Sequence, residues 1–156
     1  MAEAASAEVK SELRPIVPYL ILPEGQLEGA YLQGLQCKGC GQSFLYAPTR
    51  RACAVCAGHA ADQFSKVRLS DRGEVWVYTI VYQSWPGIPT PFVGAIVDVP
   101  VEGQPDRTVA VRANISGVEP DPKNVKVGMK VRMRVAAVHK DAQGNDVVAF
   151  HYIPAK

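Results

Sequence analysis

The 156-residue sequence has no apolar run long enough to cross a membrane. Its most apolar early stretch, Ile16 to Leu22, is seven residues long and holds Pro18, against the roughly 20 residues a spanning helix needs. It has no basic start ahead of an apolar stretch, since Glu3 and Glu8 stand where a secretory leader carries positive charge. A cytoplasmic protein is expected. Net charge is scarce as well: +2 at neutral pH is too little to imply a nucleic-acid partner, whose binding rests on several phosphate contacts. Catalytic signatures are missing, with no G-x-S-x-G elbow, no H-E-x-x-H, no G-x-G-x-x-G and no phosphate loop. The three histidines, His59, His139 and His151, have neither the spacing of a metal pair nor an evident carboxylate partner, and structural roles are expected for them. Helix-forming sequence is almost absent after residue 60.

What the chain does have is four cysteines, all within one short stretch: Cys37-Lys-Gly-Cys40 and Cys53-Ala-Val-Cys56, with twelve residues between the pairs. A C-x-x-C turn points two thiolates to one side of a tight loop, and two such knuckles facing each other supply the tetrahedral sulfur set that zinc prefers. Gly39 and Gly41 suit a knuckle whose backbone needs left-handed dihedrals. The spacing is shorter than the usual two-pair template, so compact hairpins are expected. Disulfides suit a secreted framework, which nothing here supports. A thioredoxin-like pair opens a helix after a strand, whereas Arg50-Arg51-Ala52 before the second pair and Ala-Gly-His after it read as turn. Iron held by the same four sulfurs is the nearest rival to zinc. Four protein ligands leave no open position, so the metal is expected to be structural.

Taken in order, residues 2–14 are good helix formers with few apolar side chains. Pro15, Pro18 and Pro23 then force an extended arm, whose apolar residues either cover the protein's own core or meet a partner. After the ribbon the sequence turns to strands. Glu74 to Tyr82 and Phe92 to Val99 are β-branched and aromatic nearly throughout, and Trp76, Tyr78 and Tyr82 are expected to share one face. Arg107 to Ile115 alternates, Gly128 to Val138 puts Met129, Val131, Met133 and Val135 opposite Lys130, Arg132 and Arg134, and Val147 to Ile153 follows a hairpin turn at 141–145. Five strands with short loops predict a small closed barrel of the OB type. The fold class is therefore mainly β: an N-terminal helix and extended arm (1–34), a four-cysteine zinc ribbon (35–60) and a five-stranded OB-fold (61–156).

A Leu-x-Cys-x-x-Cys-Gly ribbon (Leu35 to Gly41), a Gly-x-Val-x-x-Tyr-Thr strand opening (Gly73 to Thr79), Pro-Phe-Val-Gly-Ala-Ile-Val (Pro91 to Val97) and Val-Gly-Met-Lys-Val (Val127 to Val131) follow one another in that order. In this order they resemble the rubredoxin-like zinc ribbon plus OB-fold proteins associated with acyl-CoA metabolism. The resemblance implies an accessory subunit of a thiolase-superfamily enzyme without activity of its own, in a hetero-oligomer, with acyl-CoA as a shared ligand. One branch it is similar to is the small subunit of the thiolase acting on benzoylsuccinyl-CoA in anaerobic toluene degradation. With all four thiols committed to metal, none remains for acyl transfer.

Two further features offer contacts. Lys130, Arg132 and Arg134 are two residues apart on one strand face, about 7 Å between neighbours, which suits the phosphates of coenzyme A, acidic groups of a partner, or simply solvent. Three prolines stiffen Trp85-Pro-Gly-Ile88-Pro-Thr-Pro91, so Trp85 and Ile88 can be presented to a partner at little entropic cost. Ribbons and OB-folds also occur in single-stranded nucleic-acid binders, which need aromatics interleaved with a basic row; this is the alternative function.

Overall fold

The computed structural model describes residues 11–155. Ten strands form two sheets: β1 (Leu13–Pro15), β2 (Leu20–Ile21), β3 (Tyr31–Cys37), β4 (Ser43–Leu45), β5 (Phe64–Arg68), β6 (Arg72–Val81), β7 (Phe92–Val101), β8 (Gln104–Ile115), β9 (Lys130–Lys140) and β10 (Asp146–Pro154). Strands β6 to β10 close into a barrel in the order β6-β7-β8-β10-β9, with β9 returning to β6. That is the five-stranded OB arrangement, and because β10 meets β8 only at Tyr152 opposite Ile115, the start of β10 keeps one open side. The alternating segments fold as the period-2 pattern requires: Val109, Val111, Ala113 and Ile115 of β8 point inward, as do Val131 and Met133 of β9. Tyr152, the largest fully buried side chain, fills the interior with Val75, Val93, Val97, Val111 and Val148.

Of the expected N-terminal helix, residues 2–10 lie outside the described residues, and the end of it is not helical. Leu13 to Pro15 form β1, parallel to β10 with Leu13 opposite Asp146 and Pro15 opposite Val148. Pro15 disfavours helical dihedrals at Arg14, and the outer side of β10 offers unpaired backbone groups. Bonds from the Asp146 amide to the Glu12 carbonyl (3.0 Å) and from the Ile16 amide to the Val148 carbonyl (2.8 Å) satisfy them. The arm after it is not free either. Leu20 is 1% exposed, β2 pairs with β3, and Val17, Tyr19 and Leu22 pack against the core, so this apolar segment covers its own protein.

Strand β6 departs from simple alternation. A β-bulge between Val75 and Val77 shifts its register on β7, and a bulge adds a residue that turns the following side chains over. Val75 is buried, Trp76 and Val77 are both exposed, and Tyr78 and Ile80 face the core again. Trp76 and Tyr78 therefore do not share a face.

The ribbon is continuous with the barrel. Strand β3 is paired by β4 on one side and by β5 on the other, and β5 passes into β6 through Leu69 to Asp71. Leu69 is fully buried and its amide donates to Leu32 at 2.9 Å, while the Ser70 amide donates to Pro100 at 2.9 Å.

Candidate metal centre

The four cysteines converge. Their Sγ atoms all lie within 4.8 Å of one another, with Cys37 and Cys56 at 3.7 Å and Cys40 and Cys53 at 3.6 Å. A tetrahedral set about 2.3 Å from a common centre has edges of about 3.8 Å, so the donor set fits a single ion. The two knuckles repeat the same hydrogen bonds. Gly41 donates its amide to the Cys37 carbonyl at 2.9 Å and Ala57 its amide to the Cys53 carbonyl at 3.0 Å. Cys37 in turn donates to the Gln42 carbonyl at 2.8 Å and Cys53 to that of Gly58 at 2.9 Å. The closing residue of each knuckle is left-handed, with φ 76° at Gly41 and 60° at Ala57. Gly39 keeps an ordinary φ, and its use is space: a Cβ there would stand 3.2 Å from the Gln63 Nε2 atom and 3.6 Å from the Cys56 sulfur.

The sulfurs are electrostatically uneven. The Cys40 backbone, followed by the Gln63 side chain, lowers the Cys37 thiol to about 6. The Cys56 backbone, helped by that of Val55, lowers Cys53 too. At Cys40 the Gln42 backbone lowers the thiol, but burial and the neighbouring sulfurs of Cys53, Cys37 and Cys56 outweigh it and push the value up to about 11. So tight a group of sulfurs cannot all carry negative charge without a cation among them, which is the chemistry of a metal site. Gln63 was not visible in the spacing. Its Nε2 donates to the Cys37 sulfur at 3.2 Å and its Oε1 accepts from the Ala60 amide at 3.1 Å, so it ties the loop after the second knuckle to a ligand of the first. Behind the knuckles, Phe44 and Phe64 meet edge to face at 6.3 Å, and the Arg50 guanidinium lies 4.2 Å over the Phe44 ring.

The basic row is split by ion pairs. Lys130 pairs with Glu74 and Arg132 with Asp71 at 3.6 Å, both across the β6–β9 junction. Arg134 has no ion-pair partner among the described residues. Together with Arg132 and Arg68 it lines a cleft of about 770 Å³ that also carries the carboxylates of Glu28, Asp71 and Glu102. Trp85 and Ile88 stand far from the cysteines in sequence, on a turn closed by the Ile88 amide donating to the Trp85 carbonyl at 3.2 Å. Pro86 and Gly87 (φ 90°) occupy the two central positions, as a type II turn demands. Trp85 is 81% exposed and Ile88 about half, so the loop does not fold back over the barrel.

A DUF35 domain-containing scaffold protein of Methanocaldococcus jannaschii is 30% identical over 126 residues, which cover 78% of each chain. The chain belongs to the DUF35 family. Residues 66–136 of this DUF35 protein also match the model of the ChsH2 C-terminal OB-fold domain. The benzoylsuccinyl-CoA thiolase subunit BbsA of Geobacter metallireducens is 37% identical over 70 residues, 45% of this chain and 44% of that one. The BbsA of Thauera aromatica is 24% identical over 145 residues, covering 93% and 91%. Among solved structures, the Ltp2-ChsH2(DUF35) aldolase has the same fold, with a TM-score of 0.54 at 20% identity over 80% of this chain and 84% of that one. The DUF35 assignment agrees with the four-cysteine cluster and OB barrel described above, and it relates the chain distantly to thiolase accessory subunits.

Proposed function

We propose that this DUF35 protein is a non-catalytic accessory subunit of a thiolase-superfamily enzyme acting on acyl-CoA. The observation that carries the reading is its relation to the thiolase subunit BbsA, which extends over nearly the whole chain. Its own chemistry agrees: all four thiols gather into one sulfur set, so the nucleophile for acyl transfer has to come from a partner. Cys37, Cys40, Cys53 and Cys56 hold a structural zinc, which supplies folding energy to a ribbon too small for a core of its own. Trp85 and Ile88 meet the thiolase-like subunit. The anionic end of the shared acyl-CoA meets Arg134, the member of the row without an ion-pair partner among the described residues, with Arg132 and Lys130 next along the strand, in a cytoplasmic complex. An aromatic substrate such as benzoylsuccinyl-CoA is the finer form of the same reading. The single-stranded nucleic-acid alternative is disfavoured because Trp76 is exposed while Tyr78 packs on the core, so β6 does not present the row of aromatics that such binding stacks bases on.

The test is purification of the tagged chain from its native cells with identification of what travels with it. A thiolase-like subunit in fixed stoichiometry, and acyl-CoA cleavage or condensation by the pair but not by this chain alone, is the expected result. A monomeric chain that ignores thiolases overturns the proposal. Charge reversal at Arg132 and Arg134 should weaken acyl-CoA binding by the pair.

A further inference from the structure

The outer face of β6, β7 and β8 carries an opening that the barrel does not need. Glycine inside a strand weakens it unless something requires the missing side chain. Gly73 has such a requirement, since a Cβ there would stand 2.6 Å from Val97 Cγ1 and 2.8 Å from the Asp98 carbonyl oxygen. Gly94 has none. It lies near the start of β7, between Thr79 of β6 and Asn114 of β8. Its φ is ordinary, and an added Cβ would touch only Thr79 Cγ2, at 3.8 Å. The consequence of its bare backbone is a trough of about 390 Å³ on the outside of the sheet, walled by Val77, Thr79, Ile96 and Asn114.

The stretch of chain that supplies Val77 to the trough is rich in exposed apolar side chains. Of the ten large hydrophobic side chains exposed among the described residues, five, Trp76, Val77, Tyr82, Trp85 and Ile88, fall between 76 and 88. Isolated exposed apolar residues are ordinary, but a cluster marks an interaction surface. The β6 bulge contributes directly, because it turns both Trp76 and Val77 outward. One charge stands in the trough wall: Arg112, paired in register with Ile96, exposed and without an ion-pair partner among the described residues. A lone cation beside an apolar trough complements an occupant that brings a carboxylate next to an apolar side chain.

We propose that this face is the docking surface for the acyl-CoA enzyme subunit, with an apolar side chain of that subunit seated at Gly94 and a neighbouring carboxylate paired with Arg112. The inference rests on the accessory-subunit reading and adds where the partner sits and what chemistry it presents.

Gly94→Val tests it, because valine favours a strand, its Cβ has room in the free chain and its methyl groups would project into the trough. Binding of the full-length variant to the purified thiolase-like subunit recovered from the native complex should be at least tenfold weaker, with an unchanged or higher melting temperature. Arg112→Glu should weaken binding at least tenfold as well and flatten its salt dependence. Wild-type affinity in both variants overturns the surface while leaving the accessory role intact. A marked fall in the Gly94→Val melting temperature also overturns it, since the glycine would then serve packing. So does a wild-type chain that dimerises through this face, with Gly94→Val abolishing the dimer but sparing the heterocomplex. If no thiolase-like subunit accompanies the wild-type chain, the accessory reading falls and takes the docking surface with it.

Discussion

Gly41 and Ala57 are equivalent residues: each closes a cysteine knuckle by donating its amide to the carbonyl of the first cysteine, and each does so with positive φ. Only the first is a glycine. A side chain in the left-handed region costs about 1–2 kcal/mol, so Ala57→Gly should stabilise the metal-loaded protein by about 1 kcal/mol in denaturant titration. Gly41→Ala should destabilise it by at least as much, because the new Cβ would also stand 3.0 Å from Arg107 Nη2.

Metal analysis should return about one zinc per chain, as four closed sulfur ligands require. A visible charge-transfer band would assign iron to the site instead. Chelation, or Cys40→Ser, should unfold the knuckles first. The amides of residues 37–63 should then exchange with solvent before those of β7 and β8, read by hydrogen exchange.

Acid should loosen the junction of β1 with the β9–β10 hairpin. The Asp141 carboxyl is held below the usual range, first by the Asn145 backbone amide and more weakly by Gln143 and Arg14. Lys140 and then Ser11 lower Asp146. Groups with depressed native values bind more protons when unfolded, so their contribution is present above the ordinary carboxylate range and is lost as pH falls through the native values. His151 acts in the same direction at higher pH: burial, with Arg134 adding to it, lowers its value, and its contribution is lost as pH falls below the ordinary histidine range. Stability should therefore decline in two steps on acidification, and His151→Gln should remove the upper one.

Trp85→Ala should weaken the complex with the thiolase-like subunit by about 2 kcal/mol if measured by titration calorimetry, the scale of a central interface anchor. So exposed a side chain contributes little to its own fold, and the melting temperature of the isolated chain should stay within a degree or two.

The parts of this molecule legible in the sequence are those governed by local period. Val109, Val111 and Ala113 announce an inward face, and the cysteine spacing announces a ribbon. The remainder depends on partners distant along the chain. Leu13 to Pro15 become a strand because β10 lies beside them, and Trp76 parts from Tyr78 because of a register shift against β7. Lys130 and Arg132 meet Glu74 and Asp71 only when the barrel closes. Gln63 belongs to no motif, and only the folded loop brings it to a cysteine sulfur.

The short passage from β5 to β6 has a mechanical consequence. Leu69 is buried and hydrogen-bonded to Leu32, Ser70 is bonded to Pro100, and the Asp71 carbonyl receives the Met133 amide at 2.7 Å, so no residue between ribbon and barrel is left to act as a hinge. The cysteine end and the barrel are joined without slack, so a torque on either is delivered to the other.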